Sequence, residues 1–139
     1  MINKFDMQQD IERVLVSEED IHARIREVGA QISEDYRGKC PILVGVLKGV
    51  VPFFGEMSQA ASGTPLNVYG AVFHAIKPAS INFSKVLDKP SGRKVDLEPD
   101  YTCFTIPAAF VVGFGLDYED YYRNLPYVGV LKPAVYLEK

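Results

Sequence analysis

Pro41-Ile42-Leu43-Val44-Gly45-Val46-Leu47-Lys48-Gly49-Val50-Val51-Pro52 is the stretch on which the fold turns. From Ile42 to Leu47 it is almost unbroken apolar sequence rich in β-branched residues, the pattern of a strand covered on both faces, as in a parallel sheet. Lys48-Gly49 interrupts the run. Pro52 suits a first helical position, and the stretch to about Ala61 can be helical until Gly63 stops it. A second strand-like run, Leu66 to Phe73, completes a βαβ unit, whose crossover is expected to be right-handed. Just upstream, Ser17 is an N-cap followed by Glu18, Glu19 and Asp20 in the first turn. Ile21, Ile25, Val28, Ile32 and Tyr36 then recur at helical spacing until Gly38.

Beyond the βαβ unit the text becomes abrupt. His74 to Ala79 leaves only a short connection before the next strand candidate, about Ser80 to Leu87, whereas two parallel strands need a dozen or more residues between them. Either this pair is antiparallel or an expected element is missing. Asp88 to Pro99 is a polar loop punctuated by Pro and Gly, and Tyr101 to Thr105, Phe110 to Phe114 and Tyr127 to Leu131 are short strand candidates. With 139 residues and no repeat, low-complexity tract or linker, residues 1–139 read as a single α/β domain.

Composition narrows the function. Hydrophobic residues make up 47% of the chain, charged residues 24%, and mean hydropathy is +0.00, the balance of a globular protein. Fifteen Lys and Arg against eighteen Asp and Glu leave a net charge of −3 with no basic stripe, which argues against a nucleic-acid partner. No apolar run approaches the ~18 residues of a membrane span, and nothing near the start resembles a signal peptide, so a cytoplasmic, membrane-free protein is expected. Cys40 and Cys103 form no CxxC, and with His22 and His74 they lack finger-like spacing; neither a disulfide framework nor a structural zinc is expected.

Lys48-Gly49, where a buried strand gives way to a helix, supplies what a phosphate site in an open α/β sheet requires: flexible backbone, exposed N–H groups, a cation and a helix start. The same residues also suit an ordinary turn with a solvated lysine. Lys89 ends the next strand candidate and reads equally as surface charge. Phe110 to Gly115 reads as core strand, and Asp117 to Arg123 as a solvated turn or a magnesium or phosphate contact.

The wording of these stretches, taken in order, resembles the bacterial hypoxanthine (hypoxanthine-guanine) phosphoribosyltransferases. The resemblance is carried by Val46-Leu47-Lys48-Gly49-Val50-Val51-Pro52-Phe53, Leu87-Asp88-Lys89-Pro90 with Arg93-Lys94-Val95-Asp96, Phe104 to Tyr118, and Tyr122-Arg123-Asn124-Leu125-Pro126-Tyr127. It covers nearly the whole chain. It implies a parallel sheet with flanking helices and a small C-terminal hood. It also implies transfer of hypoxanthine or guanine onto phosphoribosyl pyrophosphate, giving IMP or GMP and pyrophosphate, with Mg2+ and in an oligomer. By position, Lys48 and Gly49 match the pyrophosphate loop, with a non-proline cis peptide expected between Leu47 and Lys48. Lys89 matches the lysine that donates to the purine's exocyclic oxygen, Phe110 the aromatic that stacks on the base, and Val111 the backbone that reads the purine edge. Asp117 matches a magnesium-associated carboxylate, and Arg123 a pyrophosphate-contacting arginine.

One departure is large. The family carries a mobile flap, a hairpin and a strand ending in two acids followed by Asp-x-Gly-x-Thr, and no Asp-x-Gly-x-Thr occurs in this sequence. The junction is expected near residues 68–75. The missing stretch would hold the 5′-phosphate, the ribose and metal, and the general base, so no catalytic residue is identified here and a mid-sheet strand is expected to be lacking. Two readings compete: a shortened transferase with impaired activity, and a non-catalytic purine-binding or oligomerisation module derived from the same family.

Overall fold

The computed structural model describes residues 2, 6–65, 67–70, 80–94 and 96–137. A 3-10 turn, Met7–Asp10, leads into β1 (Ile11–Val16) and helix α1 (Glu18–Asp35). The Ser17 hydroxyl accepts from the Asp20 amide at 3.1 Å, so the cap read from the sequence is made. Ile21, Ile25, Val28 and Ile32 form the buried stripe of α1, and the chain turns away through Gly38 at φ +73°.

The βαβ unit is present as β2 (Ile42–Gly45), α2 (Val51–Ala60) and β3 (Asn67–Gly70), with β2 and β3 parallel in the register Ile42 to Asn67 through Gly45 to Gly70. The expected strand Ile42 to Leu47 is shorter and less covered than its apolarity implies. It ends at Gly45, Ile42 is exposed, and Val46 and Leu47 are 65% and 66% exposed. Apolar sequence reports what a strand would bury. The neighbour that would cover β2 on its second edge is not among the described residues. Of the expected strand Leu66 to Phe73, residues 66 and 71–73 lie outside the described residues, as does most of the anticipated junction.

Downstream, β4 (Ser84–Asp88) and β5 (Tyr101–Thr105) form a second parallel pair, Ser84 facing Tyr101 and Asp88 facing Thr105, joined by the polar loop that a parallel crossover requires. The β3-to-β4 dilemma is thereby resolved. These strands belong to different sheets and are not an antiparallel pair. The third sheet is antiparallel, in the order β1, β7 (Val128–Leu131), β6 (Val111–Val112), with the short helix α3 (Pro133–Tyr136) behind it. The expected strand Phe110 to Phe114 shrinks to two residues because Gly113, Phe114 and Gly115 all take positive φ, +95°, +48° and +93°, which no ladder accommodates.

Helix α1 packs against α2 and β5, so both parallel pairs share one helical layer. Its core joins Ile21, Ile25, Val28, Phe53, Met57, Tyr101 and Cys103. A second cluster, Val112, Tyr122, Leu125, Leu131 and Val135, fills the antiparallel module. There the buried Asp10 carboxylate accepts from the Tyr122 hydroxyl at 2.8 Å; burial and that bond push the phenol's pKa up.

Candidate functional site

Each parallel pair leads, beyond the carboxyl end of one strand, into a lysine-bearing turn, Lys48 after β2 and Lys89 after β4. Beyond β2, the peptide between Leu47 and Lys48 is cis, as expected, and Lys48 and Gly49 form the turn into α2, with the Lys48 carbonyl accepting from the Val51 amide at 3.2 Å. The β6–β7 connection comes down onto this turn. A methyl group on Gly115 would lie 1.9 Å from the Gly49 carbonyl oxygen, so the two backbones meet at a distance that only glycine permits.

Arg123 organises the contact. It donates to the Gly115 carbonyl at 2.9 Å, while the Gly115 amide returns a bond to the Arg123 carbonyl at 2.9 Å. Its second guanidinium nitrogen reaches Asp117 at 2.8 Å and Asp120 at 3.1 Å. Lys48 Nζ also reaches Asp120, at 3.3 Å. Bonds from Arg123 and then from Lys48 hold the Asp120 carboxyl below the usual carboxylate range. Lys48 and Asp120 are both largely exposed, so their pair is weak.

The other half of the site starts at β4. Asp88, its last residue, is buried and takes Arg93 at 2.7 Å and Lys85 at 3.6 Å, which pins the turn that carries Lys89. Lys89 Nζ donates to the Ala109 carbonyl at 3.4 Å. The neighbouring Phe110 ring stacks on Tyr136 with centroids 4.6 Å apart and planes at 17°, and meets Tyr118 edge-on at 5.7 Å. Phe110 stays 40% exposed, leaving part of an aromatic surface open beside a lysine. Val111 follows as the first residue of β6. Tyr118 links the halves, since it contacts Phe110 and directly follows Asp117.

Lys48, Gly49, Asp117 and Arg123 therefore form one contact group, and Lys89, Phe110 and Val111 form an adjoining one. Sequence reasoning passed over Asp120, shared by both cations, and Tyr136, which backs the Phe110 ring. Asp120 stood in an acidic, aromatic run with nothing to distinguish it, and a tyrosine near the end of the chain carries no local signal. Among the described residues no three His, Cys, Asp or Glu side chains stand close enough to hold a metal by themselves.

Comparison with known proteins follows the same lines. No family model matches the chain. The hypoxanthine-guanine phosphoribosyltransferase of Streptococcus pneumoniae R6 is 39% identical, and that of Bacillus subtilis 168 is 36% identical, each over 94% of this chain and 98% of the relative. Both matches run over 177 positions against a chain of 139 residues, so the relatives contain several tens of residues with no counterpart here. Among solved structures, a hypoxanthine phosphoribosyltransferase from Staphylococcus aureus superposes with a TM-score of 0.81 at 32% identity, over 98% of this chain and 99% of that one. The Trypanosoma cruzi hypoxanthine phosphoribosyltransferase in complex with the product IMP gives 0.86 at 31% identity, over 93% and 95%. With identity at this level across nearly the full length of both curated relatives, the chain belongs to the hypoxanthine-guanine phosphoribosyltransferase family.

Proposed function

We propose that the site binds a 6-oxopurine base or its ribonucleotide, and that the chain by itself does not carry phosphoribosyl transfer at the rate of a complete family member. The observation that supports this reading is the contact group of Lys48, Gly49, Asp117, Asp120 and Arg123, joined through Tyr118 to Phe110, whose neighbour Ala109 accepts from Lys89. Phe110 offers its open face to the purine ring and Val111 its backbone to the purine edge. Lys89 donates to the exocyclic oxygen at position 6. An amino group there would leave the lysine donor unpaired, which discriminates against adenine. Lys48, the Gly49 backbone and Arg123 take pyrophosphate or the pyrophosphate arm of phosphoribosyl pyrophosphate, exchanging their bonds to Asp120 for bonds to phosphate oxygens.

Asp117 and Asp120 are hard oxygen donors of the kind Mg2+ takes in small number alongside water and substrate phosphates, which suits a site without a protein-only metal cluster. When bound, the ion would neutralise pyrophosphate charge. The sequence contains no Asp-x-Gly-x-Thr, the motif that would cradle a 5′-phosphate and take the purine proton. Loss of a donor set costs about 10²–10³ in rate, and loss of a general base about 10²–10⁴. Binding without appreciable turnover is the expected result.

A cytoplasmic setting belongs to the same reading. Cys40 and Cys103 are thiols rather than a disulfide, and no helix among the described residues is long and apolar enough to cross a membrane. Self-association is also expected, through the exposed apolar Val46, Leu47 and Val51.

Titration calorimetry with IMP tests the assignment. Saturable binding is expected, weakened at least ~10-fold by Lys89→Ala. Equal affinity of the two proteins for IMP, or no binding by either, would overturn it.

A further inference from the structure

We propose that Tyr136 is the positioning residue of the base-stacking platform: it holds the Phe110 ring from behind, so that a purine stacks on the face turned away from it. The inference rests on the functional reading of the site and adds to it a residue that reaches the base only through Phe110.

The backbone of Phe110 is fixed, because its carbonyl accepts from the Leu131 amide at 2.9 Å and Val111 follows directly as the start of β6. Its side chain is 40% exposed and lies outside the buried residues of both cores. A surface ring is free to change rotamer, and a ligand that must immobilise it loses affinity to that ordering. Two tyrosines restrain the ring before any ligand arrives. Tyr136 lies nearly parallel to it, with centroids 4.6 Å apart and planes at 17°, and Tyr118 meets it at 84° with centroids 5.7 Å apart.

Tyr136 is well placed to act as the rear support. Pro133 opens α3, and the Lys132 amide just before it donates to the Asp10 carbonyl at 2.9 Å. Val135 is buried with Leu131 and Tyr122, and Tyr136 packs against the same cluster. The stack therefore runs from a ring anchored on the antiparallel core to a ring that faces solvent. The two tyrosines also differ in what they are tied to. Tyr118 follows Asp117, which pairs with Arg123 at 2.8 Å, so a change at Tyr118 acts on the pyrophosphate side as well. Tyr136 stands on α3, whose ties run to β7 and to Asp10, so its loss falls on the base side.

The test uses the full chain in titration calorimetry, with IMP and inorganic pyrophosphate as separate probes. Tyr136→Leu keeps an apolar side chain and removes the ring; IMP binding should weaken about 3–10-fold while pyrophosphate binding is unchanged. Tyr136→Phe keeps the stack and should bind IMP within about 2-fold of the parent. In a Phe110→Leu background, Tyr136→Leu should weaken IMP binding no further, as a residue acting through Phe110 requires. In NMR spectra of the free chain, the stacked ring should shift the Phe110 ring protons upfield in the parent and in Tyr136→Phe but not in Tyr136→Leu. The positioning role is overturned if Tyr136→Leu binds IMP as tightly as the parent, if it loses IMP and pyrophosphate together, or if its effect persists without Phe110. It is equally overturned if Tyr136→Phe is as weak as Tyr136→Leu, or if the folded parent shows no upfield shift at Phe110. A parent that shows the shift yet binds no IMP contradicts the site reading itself, and the positioning role falls with it.

Discussion

The antiparallel module and the two parallel pairs are written in equally apolar sequence but bury it to different extents. Every residue of β7 is buried, and Val112, Val128 and Leu131 have no measurable exposure. In β2, only Gly45 is buried, and the apolar run continues into solvent at Val46 and Leu47. The antiparallel module closes on itself, since β1, β6, β7, α3 and the Tyr122 loop all come from chain that is present. A parallel strand depends on neighbours delivered from distant sequence, and among the described residues β2 has a partner, β3, on one edge only. The candidate site draws on both regions: Phe110, Val111, Asp117 and Arg123 sit on the antiparallel module, whereas Lys48, Gly49 and Lys89 sit on turns of the parallel pairs.

Truncating a core leucine against a stranded isoleucine sharpens this contrast most. Leu131→Ala should cost about 2–5 kcal/mol in chemical denaturation, whereas Ile42→Ala should stay within about 0.5 kcal/mol. Equal losses would mean that β2 is packed as tightly as β7. The glycine contact joining the two regions comes next. Gly115→Ala puts a methyl group against the Gly49 carbonyl on a backbone at φ +93° and should destabilise by more than about 1 kcal/mol. It should also weaken pyrophosphate binding at least ~10-fold, because the Lys48 turn and the Arg123 loop no longer fit together. A normal melting curve with unchanged pyrophosphate affinity would separate the loops.

The smallest effect lies between the two helices that carry the parallel pairs. His22 bonds to Glu56 at 2.7 Å, and this bond, opposed by partial burial and aided by Glu18, raises the imidazole's pKa above its ordinary value. Raised affinity for the proton in the folded chain means that the contribution is fully present below the ordinary value of about 6.5. It is lost as pH climbs through the raised value. The half-exposed position limits it to less than about 1 kcal/mol. Melting temperature should fall slightly as pH is raised across that window, and His22→Gln should flatten the slope. A slope of opposite sign would contradict the assigned bond.

Much of this molecule was legible in its residues. Ser17 with its trailing acids located α1, Pro52 and Gly63 bracketed α2, and the stretches singled out at Lys48 and Arg123 come into contact through Asp120. What escaped has physical causes. Burial of Ile42 to Leu47 depended on a partner that no local pattern encodes, and the Phe110 to Phe114 run looked like one strand because positive φ at Phe114 is unusual for a residue with a side chain. Asp120 and Tyr136 act by meeting groups from elsewhere in the fold, Lys48 and Phe110, so their importance is tertiary.

The most direct test of the account is a steady-state assay of IMP formation from hypoxanthine and phosphoribosyl pyrophosphate, with magnesium, by the purified 139-residue chain. The account predicts no formation above the uncatalysed background, from a protein that binds IMP. Robust IMP formation that Lys89→Ala abolishes would contradict it, because the sugar-phosphate half of the site would then have been rebuilt from residues already in the chain.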